Sequence, residues 1–457
     1  MREGLHKISG SEDTIVALST PIGRSGIGVV RVSGSLASRV GSNFFRGSGL
    51  VHSRAVVGCW MDSNDSVVDQ VVAVFYKAPH SYTGEDVLEV SAHGNPLILQ
   101  QIIGMIQSAG ARLAAPGEFT LRAVANGKMD LIQAEAVRDF IEAQTDIQAR
   151  TALRQMEGAL SRQIQPIKES LIDLIAHVEA GIDFAEDDVQ LPDVESMAGR
   201  AQSLANSLGR LQKTYSYGKL LSLGVRLVIA GKPNVGKSSL FNRLVEADRA
   251  IVTDIPGTTR DIVTESASLD GIPLKIFDTA GVRDTRDDVE RIGVARALET
   301  AAEADLLLFV IDGSRQLDDA DRAALEKVRN LSHLIVANKA DLGAFHDAEV
   351  DGMKPLRVSA KTGEGIDELR QAIRENLGHA QSEGFTESIL TTARQNEAVL
   401  GAISHLHVGE TALRENVPAE MALLDMYQAL GCLNELTGET TTEDILGRIF
   451  STFCIGK

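Results

Sequence analysis

The pattern of apolar positions changes along the chain, and each change marks a different kind of predicted structure. In the first 120 residues, apolar residues form short runs bounded by Gly, Pro and Ser, as in TIVALST, IGVVRVSG and VLEVSAHG. Such runs predict β-strands. One longer segment, NPLILQQIIGMIQSAG, predicts a helix that ends at Gly110. This part of the chain is therefore predicted to be mixed α and β.

From about Lys128 to residue 220, apolar residues recur every three or four positions, which predicts long amphipathic helices. The spacing is clearest in DLIQAEAVRDFIEAQTDIQARTALRQMEGALSRQI and in IKESLIDLIAHVEAGIDF. Residues 224–380 instead alternate strands with helices, the pattern of a parallel sheet with crossover helices. Helical spacing then returns from about Glu387 to Gly447.

Helical sequence thus flanks a complete α/β segment on both sides. The simplest architecture is an α/β domain inserted into one all-α domain that is split in sequence. The sequence therefore predicts a multidomain chain with these parts: an α+β N-terminal domain over 1–127, the first half of the helical domain over 128–222, the inserted α/β domain over 223–380, and the second half of the helical domain over 381–457.

Composition narrows the class of protein. The 457 residues carry a formal net charge of −18, which argues against general coating of nucleic acid. All of the acidic excess follows residue 128, so a polyanionic partner is expected to meet the N-terminal third or local basic patches. Three cysteines indicate a reducing compartment. Apolar runs stay below 18 residues and the first residues lack a signal-peptide core, so a cytoplasmic protein without membrane attachment is expected.

A glycine-rich segment carries the first chemical signal. Gly231–Ser238, GKPNVGKS, fits the phosphate-binding pattern G-x-x-x-x-G-K-S/T between a predicted strand and a predicted helix. Its glycines let backbone N–H groups surround phosphates, and a helix N-terminus favours an anion. We therefore expect Lys237 to reach the terminal phosphates of a nucleotide and the Ser238 hydroxyl to bind Mg²⁺.

Two segments further on complete the expected phosphate side of this site. In DTAG, residues 278–281, Asp278 can hold Mg²⁺ through water and the Gly281 N–H can sense a γ-phosphate. In GTTRD, residues 257–261, a switch threonine is expected to bind Mg²⁺. Along the chain, GTTRD lies between the glycine-rich segment and DTAG.

Two more motifs indicate which base is bound. In NKAD, residues 338–341, the Asp341 carboxylate can accept hydrogen bonds from guanine N1–H and N2–H₂, which adenine does not offer in that arrangement. In SAK, residues 359–361, the Ala360 N–H can contact guanine O6. Five ordered elements at strand ends predict a Ras-like guanine-nucleotide-binding (G) domain. The predicted GTP contacts are Asn234, Val235, Gly236, Lys237, Ser238, Ser239, Thr253, Asp254, Ile255, Pro256, Gly257, Thr258, Thr259, Asp278, Thr279, Ala280, Gly281, Asn338, Lys339, Asp341, Ser359, Ala360 and Lys361.

One position separates this segment from Ras. Ras-like domains carry Gln after D-T-A-G to orient the attacking water, whereas this chain has Val282. Hydrolysis therefore needs another arrangement. Asn234 has two readings that the residues leave even: its side-chain oxygen ligates a monovalent cation beside the phosphates, or it stabilises the loop.

The N-terminal strands and the tail hold other candidates. Strand alternation puts Arg31 and Glu89 on faces opposite to their apolar neighbours, and a solvent-exposed face is the favoured interpretation. Cys454 in the tail FCIGK does not fit a prenylation signal, because Gly456 and Lys457 are unsuitable. It remains either a nucleophilic thiol near a cation or part of an inert tail, which the residues alone favour.

Taken together, the motifs resemble those of the MnmE (TrmE) family of tRNA-modification GTPases over essentially the whole chain. The resemblance rests on IVALSTPIGRSGIGVVRVSG, SYTGEDVLEVSAHG, PGEFTLRAVANGKMDLIQAEA, GKPNVGKSSLFN, AIVTDIPGTTRD, DTAGVRDTRDDVERIG, NKAD and TTEDILGRIFSTFCIGK. The cysteine-containing tail is its most specific part.

The resemblance implies a chemistry for the N-terminal domain and the tail. The family acts with a flavoprotein partner, MnmG (GidA), and adds a carboxymethylaminomethyl-type group to C5 of the wobble uridine of tRNA. The one-carbon unit comes from a folate such as 5-formyltetrahydrofolate, bound by a tetrahydrofolate-binding-like N-terminal domain that also forms the homodimer. Carried over, Arg31, Glu89, Lys128 and Lys457 would contact the folate, and Cys454 would be a catalytic thiol nearby.

The resemblance also assigns the ions of the G domain. It implies K⁺ at Asn234, Thr253, Ile255 and Thr258, Mg²⁺ at Ser238 and Thr259, and a water-positioning Glu290 in place of the missing glutamine. K⁺ and GTP would then bring the two G domains of a dimer together.

A GTPase acting as a ribosome-assembly switch is the rival interpretation. Such proteins share the G domain, but they carry a second G domain or a basic RNA-binding module downstream. The sequence after residue 380 has neither feature, since it is helical and not strongly basic. A membrane-attached GTPase would need a prenyl or amphipathic anchor, and no such anchor is evident in the sequence.

Overall fold

The computed structural model describes residues 13–183, 193–246, 264–269, 271–278, 304–343, 349–350, 352–377, 388–415, 417–440 and 443–456. The chain divides into two compact units. One is built from residues 1–138, 155–201 and 404–457, and the other from 139–154 and 202–403. We call them the N-terminal unit and the nucleotide unit.

The strands and helices of the described residues have the following bounds. The strands are β1 Ile15–Leu18, β2 Ser25–Ser33, β3 Phe45–Gly47, β4 Ala55–Met61, β5 Val67–Tyr76, β6 Val87–Gly94, β7 Arg112–Leu113, β8 Val225–Ala230, β9 Thr264–Leu269, β10 Ile272–Asp278, β11 Leu306–Asp312, β12 His333–Asn338 and β13 Leu356–Arg357. The helices are α1 Ala37–Phe44, α2 Pro96–Ser108, α3 Glu118–Ala125, α4 Leu131–Glu142, α5 Asp146–Met156, α6 Ala159–Asp183, α7 Val194–Gln212, α8 Tyr215–Leu223, α9 Lys237–Glu246, α10 Asp319–Glu326, α11 Ile366–Asn376, α12 Ala393–Arg414, α13 Ala419–Thr437 and α14 Glu443–Ser451.

The N-terminal unit contains a seven-stranded mixed sheet in the order β3-β4-β5-β6-β2-β1-β7. Its strands pair antiparallel except for β1 and β7, which are parallel. Helix α2 begins at an Asn95 side-chain cap with Pro96 in its first turn, and it buries Leu99, Ile102 and Ile106. The predicted mixed α/β character is confirmed.

Register decides which side chains meet on this sheet. In β2 and β6, Val30 lies opposite Val90, and Arg31 lies opposite Glu89. The valines belong to the buried core under the sheet, whereas the two charged side chains share the other face. The pairing therefore brings together two residues that are far apart in sequence.

The predicted helix over 130–164 is interrupted at two places. The first break precedes Asp146, because Thr145 Oγ1 accepts the Gln148 N–H and Gln148 Oε1 accepts the Thr145 N–H. This reciprocal capping box starts a new helix, α5. The second break lies at Gly158, whose φ is +79°. The apolar spacing was continuous across both positions, so periodicity alone missed them.

The nucleotide unit contains a six-stranded sheet in the order β13-β12-β11-β8-β10-β9. All neighbours are parallel except β9 and β10, which form an antiparallel pair. The strands bury both faces: Leu227 and Ile229 belong to one core cluster, while Val228 belongs to the cluster on the opposite face. The predicted parallel sheet with crossover helices is confirmed. Among the described residues, helices are too short or too polar to cross a membrane.

Candidate functional site

A phosphate-binding loop joins β8 to α9. Gly231 and Gly236 have φ values of +148° and +92°. A Cβ at Gly231 would collide with the Val310 carbonyl oxygen, and one at Gly236 would collide with the Asn338 amide nitrogen. Glycine is therefore required at both positions by close approach of neighbouring strands, as well as by backbone conformation.

Lys237 is held inside this loop at the first turn of α9. Only 9% of the residue is exposed, and its Nζ donates to the carbonyl oxygens of Gly231 and Lys232, both at 2.9 Å. A buried ammonium stays charged only where polar acceptors surround it. The loop therefore concentrates positive charge where the helix N-terminus already favours an anion. Ser238 and Ser239 follow as exposed residues of the same turn.

The base-reading motifs meet at Asn338, which is 3% exposed. Its Nδ2 donates to the Val235 carbonyl at 2.9 Å, and its Oδ1 accepts the Ala360 N–H at 3.0 Å. The Asp341 carboxylate accepts from Ser359 Oγ at 2.7 Å while remaining exposed. The predicted residues of three separate loops are thus brought together. The Ala360 N–H donates to Asn338 in this structure, rather than pointing free for a base.

Lys339 takes a second role within the NKAD motif. Its φ is +69°, and its Nζ pairs with Asp312 Oδ2 at 2.7 Å at the end of β11. Burial opposes ionisation of Asp312, but hydrogen bonds from Lys339 and Ser314 outweigh it, so the pKa of the Asp312 carboxyl lies below its ordinary value. Asp312 was not predicted as a site residue, although it ends a strand beside the motif.

Another cluster, also not predicted, ties the phosphate loop to α10. Lys232 contacts Asp318 and lies 3.1 Å from Asp321, which Arg315 approaches at 2.9 Å. Asp318 and Asp321 form the capping box of α10. The hydrogen bond from Lys232 lowers the pKa of Asp318 to about 2. Lys232, the first variable position of the loop, is therefore held by one exposed and one buried carboxylate, both of which cap α10.

Several predicted residues lie outside the described part of the chain. Asp278 ends β10, but its side chain is not described. The others are Thr253, Asp254, Ile255, Pro256, Gly257, Thr258, Thr259, Thr279, Ala280, Gly281, Glu290 and Lys457.

A second candidate site lies on the N-terminal unit. Arg31 Nε and Nη2 both lie 2.8 Å from Glu89 Oε1, and the side chains are 15% and 25% exposed. The favoured interpretation of a solvent-exposed face is therefore wrong for this pair. Arg31 also lies 5.5 Å from the ring centre of Tyr82 and 5.6 Å from that of Phe119. Cation–π contact with two rings fixes the guanidinium further.

Tyr82 is anchored as well. Its hydroxyl hydrogen-bonds Thr120 Oγ1 at 2.8 Å, and burial raises the pKa of the Tyr82 phenol. Neither Tyr82 nor Phe119 was predicted as a site residue. The segments that contain them, SYTGED and PGEFTL, belong to the motifs that carry the family resemblance, which assigns neither residue a role.

The C-terminal tail reaches this same place. The Gly456 carbonyl accepts from Arg31 Nη1 at 3.3 Å and from Ser19 Oγ at 3.2 Å. Phe453 is buried, whereas Cys454 is exposed. Lys128, also predicted here, donates from Nζ to the Pro79 carbonyl at 3.0 Å. The tail is thus held against the sheet of this unit at the Arg31 pair.

An ionic network centred on a buried arginine lies in the same unit. Arg122 is fully buried and pairs with Asp13 at 2.6 Å, Glu118 at 2.9 Å and Glu85 at 3.1 Å. Arg112 adds a second cation, 2.6 Å from Glu118. Burial raises the carboxyl pKa, but hydrogen bonds from the arginines outweigh it, so the pKa values of Asp13 and Glu118 lie below their ordinary values.

The fold and these loops define a P-loop protein of the guanine-nucleotide-binding class. A model described as the MnmE helical domain matches residues 131–454, and one described as the GTP-binding protein TrmE N-terminus matches residues 14–128. The chain belongs to the MnmE family of tRNA modification GTPases.

Curated relatives agree over their full lengths. The tRNA modification GTPase MnmE of Koribacter versatilis is 45% identical, over 98% of this chain and 99% of the relative. The protein of that name from Aquifex aeolicus is 44% identical, over 97% and 100%. The solved G domain of the T. maritima FeoB iron transporter is 26% identical, with a TM-score of 0.27 over 33% of this chain and 98% of its own. Structural similarity at that level adds nothing further.

Proposed function

We propose that the protein hydrolyses GTP as part of an enzyme that modifies the wobble uridine of tRNA. The observation that carries the nucleotide half is the position of Asn338, which ties the phosphate loop at Val235 to the base loop at Ala360. Asp341, held by Ser359, is then fixed relative to Lys237. Curated relatives with the name tRNA modification GTPase support the tRNA half.

The described residues fit the ions that this function requires. Ser238, an exposed residue next to Lys237, carries a hydroxyl, and oxygen is the ligand type that Mg²⁺ prefers. Asn234 offers a side-chain carbonyl oxygen from an exposed loop position. When bound, the cations neutralise charge that develops on the phosphates. The full proposed sets are Ser238 and Thr259 for Mg²⁺, and Asn234, Thr253, Ile255 and Thr258 for K⁺, with Glu290 positioning water.

The second site fits a folate. Arg31 and Glu89 offer an adjacent donor and acceptor, which suit the polar edge of a pterin ring, and Tyr82 and Phe119 offer aromatic faces. When bound, the folate supplies a one-carbon unit. Lys128 and Lys457 would pair with its acidic tail, and the exposed Cys454 thiol would act beside it. The proposed ligand is 5-formyltetrahydrofolate or a related tetrahydrofolate.

The proposal includes partners and place of action. The protein acts as a cytoplasmic homodimer with the flavoprotein MnmG (GidA) and with tRNA as substrate. The domains proposed are a folate-binding and dimerising domain over 1–127, a helical domain over 128–222 and 381–457, and a G domain over 223–380. Acidic charge over most of the chain means that tRNA meets a local basic surface or the partner.

Mass spectrometry of tRNA nucleosides tests the proposal. We expect the wobble modification to disappear on deletion of the gene and with Cys454→Ser at normal abundance. Cys59→Ser, a half-buried thiol in β4, serves as the control and should leave the modification intact.

Each other outcome has a clear meaning. Unchanged wobble uridines on deletion would overturn the tRNA proposal, and accumulated ribosomal subunit precursors in that strain would favour the assembly switch. A normal modification with Cys454→Ser alone would show that the tail thiol has no chemical role, while the enzyme assignment stands.

A further inference from the structure

Arg243 on helix α9 links the phosphate-binding helix to the base-binding loop. It lies in the second turn of α9, which begins at Lys237. Its Nε donates to the Ala360 carbonyl at 3.2 Å, and its Nη2 donates to the Lys361 carbonyl at 2.9 Å. One guanidinium therefore holds two successive carbonyl groups of the SAK motif. The fixed geometry of the guanidinium fork makes such double contacts orienting as well as attractive.

The rest of the loop is held by hydrogen bonds within the loop itself. Ser359 accepts the Gly363 N–H at 2.8 Å through its carbonyl, and its N–H donates to the Glu364 carbonyl at 2.8 Å. The Thr362 N–H donates to Ser359 Oγ at 3.1 Å. These bonds fix the Ser359 end, and the contacts from α9 supply the hold on the next two carbonyls.

The geometry of the peptide unit relates the contacts of Arg243 to the direction of the Lys361 N–H. The C=O and N–H of one trans peptide unit point to opposite sides. Because the Ala360 carbonyl faces Arg243, the N–H of Lys361 in the same peptide unit points away from α9. The Ala360 N–H is already bound to Asn338 Oδ1 at 3.0 Å. Lys361 therefore supplies the next backbone donor of the loop, and its direction depends on Arg243.

We propose that Arg243 is a positioning residue for guanine recognition, because it orients the Lys361 N–H toward the O6 carbonyl of the base. The inference rests on the proposed GTP-binding function of this site. It separates two parts of base recognition: Asp341, held by Ser359, reads N1–H and N2–H₂, whereas the peptide held by Arg243 reads O6.

A merely structural role for Arg243 makes a different prediction. Loss of a brace that only stabilises the loop would weaken every guanine-like nucleotide by the same factor. Loss of an oriented donor weakens only the nucleotides whose O6 it binds. The discriminating quantity is therefore a ratio of affinities between two nucleotides, not an affinity.

The test uses the full chain and displacement of fluorescent GDP by three unlabelled nucleotides. GDP is the reference. In 6-thio-GDP the C6 oxygen is a sulfur, a weak acceptor, while N1–H and N2–H₂ remain. In IDP the N2 amino group is absent, while O6 remains. The first ratio reports the O6 contact and the second reports the Asp341 contact.

We expect the wild type to prefer GDP over 6-thio-GDP by about fivefold to tenfold, the value of one hydrogen bond. In Arg243→Met this preference should fall to within about twofold, while the preference for GDP over IDP is kept. In Arg243→Lys, which has one compact donor group, the preference for GDP over 6-thio-GDP should lie between those of the wild type and Arg243→Met. Arg322→Met, an exposed arginine on α10, is the matched control and should change neither ratio.

Other results overturn the inference in distinct ways. An equal loss for all three nucleotides means that Arg243 is a structural brace alone, and a collapse of both ratios means that it holds the whole loop rather than one donor. Circular dichroism of each variant shows whether it is folded. If Arg243→Met does not fold, Arg243→Lys still tests the inference. A wild type that does not bind fluorescent GDP would instead refute the proposed nucleotide function.

Discussion

At the scale of single residues, the sites depend on groups that serve two loops at once. Asn338 bonds the phosphate loop and the base loop, and Lys339 bonds Asp312 from within the same motif. Such contacts transmit any change in one loop to the next. A substitution in these motifs is therefore informative only when it removes one function of a residue and keeps the other.

Asn234 allows such a separation, because its φ of +65° is a conformation that glycine also adopts. Asn234→Gly keeps the backbone of the loop but removes the side-chain oxygen. If that oxygen binds K⁺, we expect the GDP affinity of Asn234→Gly to stay within about twofold of wild type. The factor by which K⁺ stimulates GTP hydrolysis should fall about tenfold or more.

Hydrolysis rates in KCl and in NaCl of equal ionic strength measure this effect. Asn234→Ala, which lacks both the oxygen and the backbone freedom, shows what a loop defect looks like, since it should also weaken GDP binding. Full K⁺ stimulation in Asn234→Gly would leave loop stabilisation as the role of Asn234.

At the scale of elements, features set by neighbouring residues could be predicted from the sequence, whereas contacts between residues distant in sequence could not. The loop Gly231–Ser238 could be predicted because all its determinants lie within eight residues. The pairing of Arg31 with Glu89 depends on strand register, and the contact of Arg243 with Ala360 depends on how α9 packs, so neither has a local signal. The start of α5 did have one, the capping box at Thr145, which continuous apolar spacing concealed.

Helix α5 packs against the turn between β9 and β10, and this contact is a test of element packing. Thr145 Oγ1 donates to the Gly271 carbonyl at 2.5 Å. Gly271 has a φ of +85°, and a Cβ there would lie 2.7 Å from Ile147 Cγ1 and 3.1 Å from its Cβ. We expect Gly271→Ala to lower the free energy of unfolding by about 1 kcal/mol through backbone strain, and by a further ~1–2 kcal/mol through the collision with Ile147.

Gly352→Ala is the matched control, because Gly352 has a φ of +78° and open space around its Cβ position. Hydrogen exchange of the α5 amides measures the difference, since local opening should increase only with Gly271→Ala. Adding Ile147→Ala should restore part of the protection. Equal exchange in both glycine variants would mean that the contact does not hold α5.

At the scale of the whole molecule, each compact unit is assembled from separate parts of the chain. The N-terminal unit takes three segments and the nucleotide unit takes two, with residues 139–154 joining the latter. Amphipathic spacing identified these residues as helical but carried no information on which unit they join, because any apolar face satisfies it. The predicted domain boundaries remain a prediction.

The ionic network of Arg122 makes the stability of the N-terminal unit depend on acid. The pKa values of Asp13 and Glu118 lie below 3.8 and 4.5, their ordinary values. A carboxyl whose pKa is lower in the folded state stabilises it fully above the unfolded pKa, and this stabilisation is lost as pH falls through the folded pKa. We therefore expect little change from pH 7 to 5 and a steep loss below about 4.5.

Trp60 makes this loss measurable, because it is the single tryptophan of the chain and lies fully buried in β4. Urea unfolding followed by Trp60 fluorescence reports the N-terminal unit. Arg122→Met removes the buried cation that Asp13, Glu85 and Glu118 share, and it leaves Arg112 paired only with Asp13 and Glu118. We therefore expect about 3–5 kcal/mol less stability at pH 7 and a weaker acid dependence. Arg39→Met changes an exposed side chain on α1 and is the control, which should change neither quantity by more than about 0.5 kcal/mol. An unchanged acid dependence in Arg122→Met would place its origin in other carboxyl groups, because the network would then contribute no pH-dependent stability.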